Sequence, residues 1–368
     1  MSKRIERTLK RAFARFVALF LDRRRITPGE FNDMKISRLL VVRQHNQMGD
    51  MLLAAAAFRG LRRRFPEARI SLVAAPINAA VAARNPYVDE VLTYAKRRNR
   101  GNPLALAAFV AELRRRRFDA VIVLNTVSFS ITSMLLAASS GARVRLGSTS
   151  EPFGHDLSAR FYHLELPLPR PEELALMHES RHNLYPLATI GVREDDLRSV
   201  VVPTAGEEAD AGRFIAAAVG RGSPFVVIHP GAGKQGNVWP PARFAEVASA
   251  LRERHGAGVI AVRGPVDGSA ADAFLRACRI RPAVVSSPGI GFLASLMKRA
   301  SCTVCNDTGV MHVAGAAGAR CVAVFGPTDP RRWKPINETV VAVRADDGRV
   351  ESVAVEAVLA AIERLLAV

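Results

Sequence analysis

Cysteine is scarce in this chain. Four occur in 368 residues, all beyond residue 277, which excludes a disulfide framework. Long apolar runs are missing as well. None reaches the ~18 uninterrupted residues that span a bilayer. The best candidate, Phe13–Leu21, is cut by Arg15 and ends in Asp22-Arg23-Arg24-Arg25. The same break, with no small-residue cleavage site behind it, argues against a signal peptide and leads us to expect a cytoplasmic protein. Acidic residues are short too: 34 Asp and Glu face 52 Lys and Arg, a net charge of +18. Such an imbalance points to an anionic partner, either nucleic acid, a membrane surface or a phosphorylated substrate. What is present is apolar enough to fold. Hydrophobic residues make up 49% and charged residues 23%, which excludes disorder and a collagen-like fibre. The length predicts two domains, each able to bury its own core.

Residues 1–25 form a unit of their own. Ile5, Leu9, Phe13, Phe16, Val17, Phe20 and Leu21 recur at helical spacing, and Lys3, Arg4, Arg7, Lys10, Arg11 and Arg15 carry the remaining face. Nine basic residues against Glu6 and Asp22 give this segment +7. A basic amphipathic helix over residues 1–30 reads as one that lies on a membrane surface. The competing expectation is a helix packed on the protein's own core.

From residue 38 short apolar runs alternate with amphipathic stretches. Strands are expected at Arg38–Arg43, Arg69–Ala74, Glu90–Tyr94, Ala120–Leu124 and Arg143–Leu146, with helices such as Asp50–Phe65 and Pro103–Arg117 between them. Such alternation predicts an α/β fold with a parallel sheet covered on both faces. Residues 147–175 lose the pattern and read as a long functional loop. A helix near His178–Ile190 and a linker near Val202–Gly206 follow. The alternation then restarts. Strands are expected at Phe225–His229, Gly258–Arg263, Ala283–Ser286, Cys302–Asn306 and Cys321–Phe325, and a last helix at Ser352–Leu366. Two doubly wound domains in tandem result, with a boundary near residue 200. Cys302 and Cys305 form a lone Cys-x-x-Cys, but inside a strand they face opposite sides and read as buried thiols.

Three loops at strand ends carry candidate chemistry. Arg43-Gln-His-Asn-Gln-Met-Gly-Asp50 links the first strand directly to a helix. Asp50 there is either a helix cap or a general base at the ligand-binding edge of the sheet. His229-Pro-Gly-Ala-Gly-Lys-Gln-Gly236 contains Gly-x-Gly-x-x-Gly, but its last glycine opens no helix and no acidic residue ends the next strand. A dinucleotide dehydrogenase is therefore disfavoured, while a glycine-rich loop with Lys234 can still cradle a diphosphate. Asn306-Asp-Thr-Gly309 joins a strand to a helix N-terminus, which suits an anion. Phe325-Gly-Pro-Thr-Asp-Pro330 is a further loop on the same edge.

Taken together, Arg43…Met48-Gly49-Asp50, His229-Pro-Gly-Ala-Gly233…Trp239-Pro240, Asp307-Thr-Gly-Val-Met-His312 and Phe325-Gly-Pro-Thr-Asp-Pro330 resemble glycosyltransferase family 9, the ADP-heptose:lipopolysaccharide heptosyltransferases. The resemblance covers roughly residues 36–345. It implies a GT-B fold: an acceptor domain over residues 36–200 and a nucleotide-sugar domain over 201–350, two Rossmann-like domains facing a cleft. The last segment, 351–368, is expected to cross back to the first domain. By the same resemblance Asp50 is the catalytic base, with Met48 and Gly49 in the loop beside it. Gly231, Ala232, Gly233 and Lys234 take the donor diphosphate, and Asp307, Thr308, Gly309 and His312 form a second donor element. Asp267 is the counterpart of the acidic residue that holds the donor ribose. One departure stands out: Asn237 and Val238 occupy places where the family usually has a basic residue before Trp-Pro, so Lys234 is the basic group left to reach the phosphates.

The implied reaction is inverting transfer of a heptose from ADP-heptose to a lipopolysaccharide core or similar anionic lipid-linked acceptor. No Asp-x-Asp motif occurs, so no metal and no cofactor is expected. Residues 1–25 would place the enzyme on the inner face of the cytoplasmic membrane. The runner-up is a GT-B transferase or epimerase acting on another nucleotide-sugar. A non-catalytic nucleotide-sugar binder would be expected to lack the base. A nucleic-acid partner is disfavoured: the Arg-rich stretches 62–64 and 114–117 end amphipathic helices, where positive charge suits the dipole, and aromatic residues do not interleave with them.

Overall fold

The structure is a computed structural model that describes residues 12–22, 24–44, 47–96, 102–154, 156–265 and 267–367. The chain divides between Leu197 and Arg198 into two compact units. The expected basic stretch 1–11 lies outside the described residues, as do His45 and Asn46 of the first loop.

The first unit is built on a six-stranded parallel sheet. Its strands are β1 (Arg38–Arg43), β2 (Arg69–Ala74), β3 (Glu90–Thr93), β4 (Ala120–Val123), β5 (Val144–Ser148) and β6 (Leu164–Leu166). Their order is β3-β2-β1-β4-β5-β6. Leu39, Leu40, Val41 and Val42 are all fully buried. A strand apolar on both faces can only sit in mid-sheet with layers above and below. β6 lies inside the stretch that was expected to be irregular; with three residues it is too short to show a pattern. The single helix expected over Asp50–Phe65 is two, α1 (Met48–Leu52) and α2 (Ala55–Arg64). The next helix of interest, α3 (Glu179–Leu184), gives way to a 3₁₀ turn over Tyr185–Ile190, where Pro186 lacks the N–H an α-helix needs.

At the start of this unit residues 12–18 are helical. Ala14 and Ala18 are buried in the core on one side of the sheet, together with Leu40, Val42, Phe109 and Tyr162, and Val17 and Leu21 pack partly against it. A capping box at Thr27 and Glu30 then starts the short helix Pro28–Asn32.

The second unit repeats the plan. Its strands are β7 (Phe225–His229), β8 (Gly258–Arg263), β9 (Ala283–Ser286), β10 (Cys302–Asn306), β11 (Cys321–Phe325) and β12 (Val340–Arg344), ordered β12-β11-β10-β7-β8-β9 and all parallel. Three helices matter below: α4 (Pro241–His255), α5 (Gly309–Ala316) and α6 (Val355–Leu366). Two elements were not foreseen. β12 closes the sheet edge, and a helix at Ala205–Val219 occupies the expected linker, started by the Thr204–Glu207 capping box. Cys302 and Cys305 do point apart: Cys305 Sγ meets Cys321 Sγ at 3.7 Å across the β10–β11 pair, and all three thiols are buried.

The final helix packs on its own unit. Val358, Leu359, Ala361, Ile362 and Leu365 of α6 belong to the core of the second unit, with Trp239, Phe244 and Leu251. His255 Nε2 at 2.9 Å and Arg254 Nη1 at 3.6 Å from Glu363 Oε1 tie α6 to α4. Its apolar face is thus buried within the second unit.

In each sheet the first strand lies beside the fourth, so the winding reverses between β1 and β4 and again between β7 and β10. Loops diverge at such a switch point and leave a crevice beyond the strand C-termini.

Candidate active site

Asp50 sits at the β1/β4 switch point of the first unit. It lies in the first turn of α1 and is buried, while Met48 and Gly49 beside it are half-buried. Arg43, the last residue of β1, is fully buried behind it. Arg43 Nη2 donates to the Asp50 carbonyl oxygen at 3.1 Å, and Nη1 donates to Leu124 O at 3.3 Å and Thr126 Oγ1 at 3.4 Å. The guanidinium therefore pins the start of α1 to the end of β4. Burial pulls the Arg43 pKa down, and the charges of Asp50 and Glu179 oppose that fall. Glu179, in the first turn of α3, is buried and meets His182 Nδ1 at 3.2 Å. Thr126 Oγ1 donates to Asn183 Oδ1 at 2.7 Å. The backbone of Asp50 is thus held by a small buried network whose cation is Arg43, and its carboxylate feels that charge.

In the second unit the loops after β7, β10 and β11 converge. Asn306, the last residue of β10, donates through Nδ2 to Pro230 O at 2.9 Å and Gly231 O at 3.1 Å, and its Oδ1 accepts from Trp239 N at 3.0 Å. One side chain so fixes both ends of the Gly231–Trp239 loop. Trp239 is fully buried; it donates from Nε1 to Val353 O at 3.0 Å and packs edge-on against Phe244. Asp307 turns inward as well. Its Oδ2 accepts from Asn237 Nδ2 at 3.0 Å and from the Thr328 hydroxyl. Burial raises the Asp307 pKa, while Thr328, the nearby Lys234 charge and Asn237 pull it back.

Thr308 is the N-cap of α5, yet its side chain makes no capping bond. The first-turn amides of α5 are thus left without that side-chain acceptor. They carry the positive end of the helix dipole, and Lys234, exposed on the neighbouring loop, adds a full charge. The combination has the chemistry that favours an anion. His312 is buried one turn further along α5.

Asp267 pairs with His229. Its Oδ2 is 3.1 Å from His229 Nε2, both side chains are buried, and Oδ1 is enclosed without a hydrogen-bond partner. Asp267 fits beneath the donor loop because Gly231 and Gly264 lack side chains: a Cβ on Gly231 would stand 2.0 Å from Asp267 Oδ2, and one on Gly264 2.6 Å from Oδ1.

Three contributors escaped the sequence reading: Arg43 as a support, the Glu179–His182 pair, and the His229–Asp267 pair. The first two had a visible signal. A charge ends the apolar run of β1, and Glu-x-x-His lies on a helix that was anticipated. The third had none, since His229 and Asp267 are brought together only by the pairing of β7 with β8.

Two Rossmann-like six-stranded parallel sheets in tandem give a fold of the GT-B class. The chain belongs to glycosyltransferase family 9 (heptosyltransferase), whose profile matches residues 106–360. It is 24% identical over 310 residues to lipopolysaccharide heptosyltransferase 3 of Escherichia coli, covering 82% of this chain and 87% of that protein. The fold is similar to that of the family 9 glycosyl transferase from Veillonella parvula DSM 2008, with a TM-score of 0.80 and 22% identity over 91% of this chain and 99% of the other. It is also similar to E. coli ADP-heptose lps heptosyltransferase II, with a TM-score of 0.74 and 22% identity over 90% and 98% of the two chains.

Proposed function

We propose that this glycosyltransferase moves a heptose from ADP-heptose to a lipopolysaccharide core or similar lipid-linked acceptor at the inner face of the cytoplasmic membrane, with inversion at the anomeric carbon. The observation that carries this reading is Asp50, a buried carboxylate held beside Arg43 at a switch point, in a family of heptosyltransferases. Asp50 takes the proton from the acceptor hydroxyl as its oxygen bonds to the anomeric carbon. The bond from that carbon to the diphosphate oxygen breaks on the opposite face. The departing charge goes to the first-turn amides of α5 and to Lys234. Gly231, Ala232 and Gly233 line the diphosphate, with Thr308 and Gly309 opposite. Asp307 and His312 shape the donor element from behind, and Asp267 supports Gly231 from below.

The names of the relatives support donor and acceptor: one is a lipopolysaccharide heptosyltransferase, and another carries both ADP-heptose and lps. The test is a donor exchange. The protein is incubated with ADP-heptose, UDP-sugars or GDP-sugars and a heptose-deficient lipopolysaccharide acceptor. Mass spectrometry should show one added heptose from ADP-heptose. Transfer from another donor alone would overturn the assignment.

A further inference from the structure

The helix at residues 12–18 is rotated in a way its composition alone would not predict. Its small residues face inward, with Ala14 at 0% and Ala18 at 1% exposure, while Phe13 and Phe16 are 56% and 57% exposed. Leu19 and Phe20 follow at 61% and 74%. Phe16 and Phe20 stack edge-to-face, with centroids 5.2 Å apart. A helix that served only to cover the core would bury its phenylalanines and show its alanines. Here the seat is the alanine face, and the aromatic face is left to water.

The seat is fixed by polar bonds from three directions. Arg15 Nη2 donates to Asp156 Oδ1 at 3.1 Å, Arg145 Nη2 to Asp22 O at 2.8 Å, and Arg25 Nη1 to Tyr162 O at 3.1 Å. Asp156 belongs to the loop that leaves the C-terminal end of β5. That loop is closed there by Ser150 N donating to Ser158 Oγ at 2.9 Å. The Phe13 end of the helix is thus anchored at the sheet edge on which Asp50 lies. Phe129 and Phe153, on loops of the same edge, stack with centroids 6.4 Å apart.

We infer that the aromatic face of residues 13–20 is a membrane-docking facet of the first unit, and that its occupant is an anionic phospholipid surface. Charge complementarity selects that occupant. The segment 1–25 carries +7, and its Arg15 and Arg24, though paired with Asp156 and Glu30, keep side chains 60% and 67% exposed. Aromatic rings flanked by cations suit the boundary between headgroups and acyl chains. Each Lys or Arg near such a surface is attracted by its negative potential within about a Debye length. Because the helix is seated on the unit and not hung from it, docking would set the Asp50 edge toward the bilayer. The inference deepens the reading of a lipid-linked acceptor and rests on it for its purpose, though it can be read separately.

Co-sedimentation of the full chain with phosphatidylcholine vesicles, with and without phosphatidylglycerol, tests it in the absence of donor and acceptor. The wild type should pellet with the anionic vesicles and partly detach at high salt. The triple variant Phe13→Ser, Phe16→Ser, Phe20→Ser should lose roughly a hundredfold or more in partitioning, because the inserted apolar area is gone. Its thermal unfolding should match the wild type, since these side chains are exposed. Val202→Ser, at an exposed apolar site of the second unit, should bind as the wild type does. A triple variant that pellets like the wild type would overturn the inference, and so would a wild type that ignores phosphatidylglycerol. Vesicle binding without heptosyl transfer would uphold the docking facet and count against the proposed reaction. Transfer to a detergent-dispersed acceptor without vesicle binding would do the reverse.

Discussion

His229 Nε2 lies 3.1 Å from Asp267 Oδ2 beneath the glycine loop, with both side chains removed from solvent. On the other side of the ring, Nδ1 is 3.1 Å from Val262 O. Burial lowers the His229 pKa, while the Asp267 charge and the Val262 carbonyl pull it up. The pair joins the end of β7 to the segment after β8, and the loop at Gly231 rests on the carboxylate.

The contact sets apart two glycines that are close in sequence. Gly231→Ala would push a Cβ to within 2.0 Å of Asp267 Oδ2, whereas Gly233→Ala meets nothing within 4 Å. ADP affinity, measured by calorimetry, should fall at least about tenfold in Gly231→Ala and stay near wild type in Gly233→Ala. Equal affinity in the two variants would remove the loop from the donor site. Asp267→Ala should lower stability by roughly 1–3 kcal/mol, because it leaves Nε2 of the buried His229 without its partner.

Asp50→Asn keeps the shape of the side chain and removes its basicity. Turnover should drop by ~10²–10⁴-fold, the usual contribution of a positioned base. Donor affinity should change little, since the anion site is built from loops of the second unit. Rates from single-turnover assays check this, and a variant turning over like the wild type would sink the role of Asp50.

Lys234→Ala tests the departure from the family pattern. Asn237, where a basic residue is usual, is buried and bonded to Asp307, which leaves Lys234 as the exposed cation of this loop. The variant should bind ADP about tenfold more weakly at low ionic strength. The difference should shrink near 1 M salt, where the Debye length is only ~3 Å. A salt-independent loss would point to a packing effect instead.

Much of the architecture was legible because central parallel strands are apolar on both faces. β1, β2, β7, β8, β10 and β11 were all placed at their observed bounds. What escaped was short or masked by composition. β6 has only Leu164-Glu-Leu166, and the helix Ala205–Val219 begins in Ala-Gly-Glu-Glu, which reads as a linker until the Thr204–Glu207 box is noticed. The final helix was placed by its own stripe of Val358, Ile362 and Leu365, which packs in the core beside α4. The candidate residues were marked by loops at strand ends and by the resemblance. Of their supports, Arg43 and Glu179–His182 left a signal in the charge that ends β1 and in Glu-x-x-His on an expected helix, while His229–Asp267 left none, because it depends on which strands become neighbours.

Asp307→Asn gives a pH test with a defined sign. Burial raises the Asp307 pKa above its ordinary value. The folded chain therefore holds this proton more tightly than the unfolded chain does. As pH rises from the ordinary carboxylate value, ~3.9, through the raised folded value, the unfolded state releases its proton first and stability falls. Above that window the wild type keeps a constant penalty for a charged, mostly buried carboxylate. Asparagine cannot ionise, and its Oδ1 can still accept from Asn237 and Thr328. The melting temperature of Asp307→Asn should thus exceed that of the wild type near neutral pH, with a gap that closes as pH falls toward ~4. Lys234 works against this trend, because its attraction to Asp307 is lost in the variant. Thermal unfolding followed by circular dichroism across this range, repeated in Lys234→Ala, separates the two effects. With Lys234 removed, the gain from Asp307→Asn should be larger. If the variant is instead less stable than the wild type in both backgrounds, and the deficit grows as pH rises, the Asp307 charge is stabilising and burial does not govern its titration.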